Sequence, residues 1–265
     1  MRNLLTLTLA LGLAGAANAQ NDATTTQAGN SHYATIEQTG VNSGINGLGF
    51  TAGAYVDQYG GNSNEAYIIQ DGDANYGKIE QNGSLNHARN VAPGNAKPGI
   101  RSVGDGNAVG VYQEGSANEA ATTTIGSRNQ TDVVQDGDDN SANVGVSGND
   151  GTADVDQVGD QNEMNIRGFD SASNDALSLP NSNDYVVNQE GFKNRANVMA
   201  GGSDNLITII QDGDQNIAGR DGQAGTGFLL VDGDLNTVSV SQTGNFHRAG
   251  VSVVGDNNTS TITQN

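Results

Sequence analysis

Between Gln113 and Gln157 the chain repeats every eleven residues with nothing inserted, and this period restricts the possible folds more than any other feature of the sequence. The step positions are Gln113, Thr124, Gln135, Val146 and Gln157. A Gly follows each of them two residues later (Gly115, Gly126, Gly137, Gly148, Gly159), and an Asn five residues later (Asn118, Asn129, Asn140, Asn162), except at Gly151. From each Asn onward the marked residues occupy every second position, as in Asn140, Ala142, Val144 and Val146. Such alternation is the period of a strand with one buried face. The Gly after each strand supplies the backbone freedom of a tight turn, with Asp, Asn and Ser around it.

One strand and one turn make an arm, and two arms make a strand-turn-strand-turn circuit of 22 residues. An arm of this size cannot bury its apolar face alone, so it must stack on copies of itself; a fixed period of roughly twenty residues is the mark of a solenoid. The expected fold is all-β: a β-solenoid of strand-turn-strand-turn rungs with two parallel stacked sheets and about 22 residues per rung. The period runs from Gln27 to Gln264, which implies roughly eleven rungs. Four stretches of twenty or twenty-one residues break it: 38–58, 81–102, 157–178 and 211–231, ending at Gln58, Ser102, Ser178 and Val231. Each is read as one ordinary arm plus one degenerate, shortened arm, so that the stack keeps phase. The position two before the step holds Ile or Val from Ile36 and Val56 to Val251 and Ile262, with Asn90 and Thr122 as departures. That is the composition a pleated, buried surface prefers.

Stacking gives the amides a role. When equal positions superpose at ~4.8 Å, Asn and Gln side chains hydrogen-bond up and down the column as ladders, whereas a lone buried amide is costly. The expected glutamine members are Gln38, Gln58, Gln70, Gln81, Gln113, Gln135, Gln157, Gln189, Gln211, Gln242 and Gln264. The expected asparagine members are Asn75, Asn86, Asn107, Asn118, Asn129, Asn140, Asn162, Asn194, Asn205, Asn216 and Asn236. Beside the five glycines named above, the expected turn glycines are Gly40, Gly60, Gly72, Gly83, Gly191, Gly213, Gly233 and Gly244.

Met1 to Ala19 has the form of a secretory signal: Arg2 at the start, an apolar run from Leu4 to Ala14, and the small-residue site Ala17-Asn18-Ala19. The expected organisation is a signal peptide over 1–19, a short N-terminal segment over 20–26 and the solenoid over 27–265. Removing the signal removes Arg2 and no acid, so the formal net charge goes from −19 to −20. Such a charge argues against nucleic acid and anionic lipid as partners, and no later stretch is apolar enough for membrane insertion. Cysteine is absent, which excludes a disulfide framework or thiolate metal site. With no Trp, 5% aromatics and 38 Gly, the chain is too lean in large side chains for an ordinary globular core. A thin, ladder-filled core suits it.

The sequence offers one tempting metal pattern, D-x-D-x-N, at Asp71/Asp73, Asp136/Asp138, Asp212/Asp214 and Asp232/Asp234. Oxygen ligands at this spacing open calcium loops, yet the Gly at the sixth position and the bidentate Glu at the twelfth are missing. The favoured reading is therefore turn residues whose like charges discourage unwanted edge pairing, with calcium the weaker alternative. His32 and His247 occupy the Asn place of their arms, and His87 lies one residue beyond it. They read as ladder substitutes rather than metal ligands. No set of acids, bases and nucleophiles breaks the period, so neither enzymatic activity nor a cofactor is expected.

The arms resemble the curlin repeat, S-x5-Q-x-G-x-[GN]-N-x-A-x3-Q. Gln70-Asp71-Gly72-Asp73-Ala74-Asn75-Tyr76-Gly77 followed by Gln81 matches closely, and Gln58-Tyr59-Gly60-Gly61 leads to Ala66 and Gln70 with one extra residue. Gln113 to Ala120 matches the first part, then departs at Thr124; Val146, Ala200 and Val253 depart in the same way. The resemblance implies a secreted subunit of curli-type amyloid fibres that passes the periplasm and an outer-membrane secretion channel. It then polymerises with copies of itself on the bacterial surface, as part of a biofilm matrix, with a related subunit as nucleator or major component. The alternatives are that this chain is itself the minor nucleator, or that it is a monomeric calcium-binding β-solenoid.

Overall fold

The computed structural model of the chain describes residues 5–7, 21–40, 52–92, 95–168, 182–219 and 229–265, and the regular structure in these is β throughout. In the first sheet, Ala23–Asn30, Gly53–Asn62, Tyr76–Ser84, Ala108–Ser116, Gln130–Asp136, Thr152–Val158, Asp184–Glu190, Leu206–Asp212, Thr237–Thr243 and Thr259–Gln264 lie side by side in chain order. All are parallel; Leu5–Leu7 adds one antiparallel strand beside Ala23–Asn30. The second sheet takes the return strands, Tyr33–Thr39, Glu65–Asp71, Ile100–Val103, Glu119–Ser127, Ser141–Asn149, Glu163–Gly168, Arg195–Gly201, Leu229–Asp232 and Ser252–Val254. Equal positions of the repeat face each other across every ladder: Gln113 pairs with Gln135, Val111 with Val133, Thr124 with Val146. The fold is the two-sheet parallel β-solenoid that the period implies.

The rung count is lower than the arithmetic from period alone. Ten parallel first-sheet strands and nine second-sheet levels make nine rungs and a half among the described residues, not eleven, and a column about 43 Å long. The four irregular stretches account for the difference. Gln27 stacks on Gln58, Gln38 on Gln70, Gln81 on Gln113 and Gln211 on Gln242. Stretches 38–58, 81–102 and 211–231 are thus single arms carrying extra residues, not two arms, and the extra residues of 157–178 belong to the arm from Gly168 to Gln189. A length near twenty satisfies either reading, but only strand pairing tells which sheet the next arm joins. Between Ala88 and Gly99 the extra residues form an antiparallel hairpin of His87–Ala92 with Asn95–Pro98. Asn90 pairs there with Lys97, and Ile100 takes the buried position that the spacing assigned to Asn90. In the third stretch the second-sheet step is Gly168, opposite Ala200; Ser178 lies outside the described residues.

The core is a narrow seam of inward side chains. Val56, Ile68, Ile79, Val133, Val144, Val155, Val198 and Ile209 have no more than a trace of exposed surface, and Ile36 and Ile262 pack partly buried at the two ends. Facing positions trade volume. Where the second-sheet step is the large Gln70, the first-sheet residue opposite is Gly77, and the amide fills the space a Cβ would take, 3.1 Å away. Where the step is Thr124, Thr131 opposes it, their hydroxyls 3.3 Å apart. Further along, the step shrinks to Ala200 while the corresponding first-sheet positions hold Tyr185 and Ile207, both buried. Close packing at near-constant total volume accounts for such exchanges.

Each corner holds two left-handed residues. One is the Gly after the step; the other immediately precedes the Asn position, which His32, Gly151 and His247 fill in three arms, and is not glycine at sixteen places, among them Ala117, Arg128, Lys193, Leu235 and Phe246. An L-residue with φ near +60° costs roughly 1–2 kcal/mol, and Asn tolerates it best. Leu235, at φ 60 and 55% exposed, is the clearest case. Leu235→Asn is expected to stabilise the chain by about 1 kcal/mol, read as a rise in the denaturation midpoint with unchanged slope.

Candidate functional site: the amide ladders

The first sheet carries one unbroken glutamine ladder. Gln27, Gln58, Gln81, Gln113, Gln135, Gln157, Gln189, Gln211, Gln242 and Gln264 occupy the same position of successive strands, and each Nε2 donates to the next Oε1 at 2.7–2.8 Å. The second amide hydrogen goes to a carbonyl of the opposite sheet: Gln135 to Glu119 (3.0 Å), Gln157 to Ser141 (3.2 Å), Gln211 to Arg195 (3.1 Å). From Gln58 to Gln242 these amides are fully buried or nearly so, with their donors satisfied along and across the column. Every bond points the same way, so the ladder has a polarity.

In the second sheet the ladder fades. Gln38 donates to Gln70 at 2.8 Å, Ser102 turns to Asn75, and from Val146 onward the step residue is apolar or Gly. The departures Thr124, Val146, Ala200 and Val253 thus all fall in one sheet. Spacing alone could not sort them, because an error of one arm at any irregular stretch exchanges the sheets downstream.

The corners hold two asparagine ladders. At the corner from first to second sheet, Oδ1 of Asn64, Asn86, Asn118, Asn140, Asn162 and Asn194 accepts the backbone N–H of the Asn one rung later, at 3.0–3.1 Å. His32 and His247 close the two ends: His32 Nδ1 accepts from Asn64 N (3.3 Å), and His247 N donates to Asn216 Oδ1 (3.0 Å). At the opposite corner, Asn75, Asn107 and Asn129 run to Gly151, where the missing side chain interrupts the series. It resumes at Asn183 through Asn205, Asn236 and Asn258. From Asn64 to Asn216 the ladder Asn Nδ2 clips onto the turn Gly carbonyl of the next rung, as Asn118 does to Gly137 (2.7 Å) and Asn140 to Gly159 (2.6 Å), whereas Asn236 Nδ2 is buried without a partner. All thirteen expected turn glycines have positive φ. Asn64, Asn183 and Asn258 also join ladders; Asn183 and Asn258 stand at the fixed offset, five after Ser178 and Val253, though they are not among the members named above, and only Asn64 departs from it. Asn64 is displaced by the extra residue at Gly60-Gly61, and the N-x-A pattern of Asn64 and Ala66 was the signal for it.

The acidic turn pattern has a separate role in the geometry. Oδ1 of Asp138, Asp214 and Asp234 accepts the backbone N–H of Ser116, Phe192 and Ser203 in the preceding rung, at 2.8, 3.2 and 2.7 Å. Asp73 N donates in turn to Asp105 Oδ1 (2.8 Å). The carboxylates of Asp138, Asp214 and Asp234 are thus outer stitches between turns, and Asp73 takes part through its backbone N–H, while Asp71, Asp136 and Asp212 point outward, exposed, and Asp232 is half-buried. Among the described residues no group of three or more His, Asp or Glu side chains is arranged to hold a metal.

Stacked acids on the outer face of the first sheet oppose one another. Asp132 pairs in register with Asp154, and its carboxylate leans over Gly110, where a Cβ would be 2.7 Å from Oδ1. Desolvation first and the Asp154 charge second push the Asp132 carboxyl up; Asp156 is raised by desolvation, then by Asp154, Asp136 and Glu190. Glu80 moves the other way, held down by hydrogen bonds from Lys78 (2.7 Å) and Tyr59. An acid with a raised folded pKa binds its proton more tightly when folded, so folding gains as pH falls from neutral toward that value. The Glu80 contribution is lost only as pH falls below the ordinary carboxylate value of about 4. The midpoint of thermal unfolding should therefore rise between pH 7.5 and 4.5, and Asp132→Asn should flatten part of that rise. A midpoint that falls over this window would refute the acid-repulsion account.

The curlin associated repeat family matches four stretches of the chain, residues 61–89, 126–159, 181–213 and 233–265, each a run of consecutive arms. Neither the curated proteins nor the solved structures compared with the chain include a match. Curlin proteins are structural subunits of extracellular, self-assembling surface fibres rather than enzymes. With repeat matches distributed along the column and one amide ladder continuous through it, the chain belongs to the curlin repeat family.

Proposed function

We propose that the chain is the secreted structural subunit of a curli-like amyloid fibre, contributing to a biofilm matrix and to surface adhesion. The observation that carries this is the directional first-sheet ladder. Ten amides bonded head to tail inside one molecule present, at either end, the donor and acceptor pattern that an identical rung would complete. Edge strands with unpaired N–H and C=O groups template further strands of the same kind. The signal-like segment Met1 to Ala19 supports export through the periplasm. Its removal would free the Ala23–Asn30 edge that Leu5–Leu7 covers. The absence of cysteine suits passage of an unfolded chain through an outer-membrane channel. A related nucleator is the expected partner besides the chain itself.

The test is purified chain in metal-free buffer, followed by thioflavin fluorescence and then fibre diffraction. Seeded growth with reflections near ~4.7 and ~10 Å is the expected result. A chain that stays soluble and gains β structure only on addition of calcium would instead be a metal-dependent monomer.

A further inference from the structure

The two outer faces of the column are not alike. Extra residues enter the chain only within or directly after second-sheet strands, apart from one glycine at Gly60-Gly61. First-sheet strands therefore run unbroken along the column. Their outward rows are charged in the early rungs, with Asp57, Lys78, Glu80, Asp132, Asp154 and Asp156. That changes in the last three strands. Leu206, Thr208 and Ile210 face outward from Leu206–Asp212, with Leu206 and Ile210 41% and 45% exposed. Ser239 and Ser241 stack on Thr208 and Ile210, and Thr261 and Thr263 stack on those. Between Leu206 and Ile210, and at the equivalent positions of the next two strands, no outward residue is charged, although the chain as a whole carries −19.

We propose that this uncharged outer face, from Leu206 through Thr263, is a self-docking surface on which the same face of a second copy packs, joining two columns side by side. The proposal rests on the fibre reading above. Three features select a second copy as the occupant. Copies of so acidic a chain repel wherever their charged rows meet, and among the described first-sheet strands only here do three neighbours in succession lack charge at these outward positions. Apart from Leu206 the residues are small or β-branched; all are free of Pro and Gly and stacked in register, which is the composition of dry interdigitating sheet pairs. The footprint of three strands is roughly 300 Å², well short of the ~800 Å² per partner of a stable isolated pair. Single molecules therefore stay apart. Stacked copies, each adding ten first-sheet strands, repeat the patch about every 48 Å, and side-by-side pairing follows cooperatively from elongation.

Mass per unit length of the fibres, measured by scanning transmission electron microscopy, tests this. Unsubstituted chain should give two chains per rise of about 48 Å. T208K/S241K, which places two charges on the face in different rows, should give one chain per the same rise while seeded elongation continues. N143K/N197K, on the outer face of the second sheet, should keep two. If the double face variant does not assemble, S239K alone carries the test, with single columns appearing among paired ones. Single columns from unsubstituted chain, paired columns from T208K/S241K, or S239K fibres that are paired throughout, would overturn the proposal. Unsubstituted chain that forms no fibre at all would overturn the fibre reading with it, and the two failures are told apart by whether elongation is seen.

Discussion

Gln135→Glu should prevent the column from closing through its middle and stop fibre growth under conditions where the unsubstituted chain elongates. Gln135 receives Gln113 Nε2 at 2.8 Å, donates to Gln157 Oε1 at 2.8 Å and to Glu119 O at 3.0 Å, and is fully buried. A carboxylate there keeps the accepted bond but sets oxygen against oxygen at both other contacts, in a seam without a countercharge. Burying an uncompensated charge of this kind costs roughly 3–5 kcal/mol, a large share of the stability of a typical domain. Because rungs touch only their neighbours, the loss uncouples the strands before Gln135 from those after it. Hydrogen exchange should show two separately opening blocks, and thioflavin growth should be lost. Thr124→Val supplies the contrast. It sits at the equivalent step of the second sheet, where Val146 already stands one rung later, so about 1 kcal/mol or less is expected. Equal damage from the two substitutions would show that the ladder is not the source of cohesion.

Gly126→Ala should be at least as harmful, for a steric reason. Gly126 has φ +114, and a Cβ there would lie 1.8 Å from the carbonyl oxygen of Gly148 in the next rung. Both partners are backbone, so relief requires moving the rungs apart and breaking strand pairs. With the conformational penalty added, a loss of ~3 kcal/mol or more is expected, measured as a fall in the urea midpoint. Gly255→Ala separates the two causes. At φ +102 its Cβ would meet only Asn258 Nδ2, at 3.6 Å, so the dissolved chain should lose about 1–2 kcal/mol. In a fibre another rung would stack on Gly255, and elongation from that end should stall. Unimpaired growth of Gly255→Ala fibres would mean that copies do not stack there with the same close turn spacing.

Much of this was legible in the chain itself, because a repeat states the same instruction many times. The alternation of Asn140, Ala142, Val144 and Val146 marks a one-sided strand, the Gly at a fixed offset marks the turn, and the period of two arms marks the solenoid. Even the pairing of Gln with Gln and Asn with Asn follows from superposing equal positions. Local chemistry and period carry such information because each arm meets only copies of itself.

What the sequence could not determine is which arm joins which sheet. The stretches of twenty and twenty-one residues fit two short arms or one arm with an insertion, and hydrogen-bond pairing of Gln27 with Gln58 and Gln81 with Gln113 decides for the insertion. That parity places every glutamine of the long ladder in one sheet and every departure in the other. It brings Gly77 opposite Gln70, and it gathers the uncharged rows from Leu206 to Thr263 onto one face. The roles of Asp138 and Asp214 as stitches between turns, and of Leu235 and its counterparts as left-handed residues, also emerge only from the folded chain. Periodicity specifies the unit and its stacking; the sheet to which a unit belongs depends on contacts between residues 22 to 32 positions apart, and only the tertiary structure counts those.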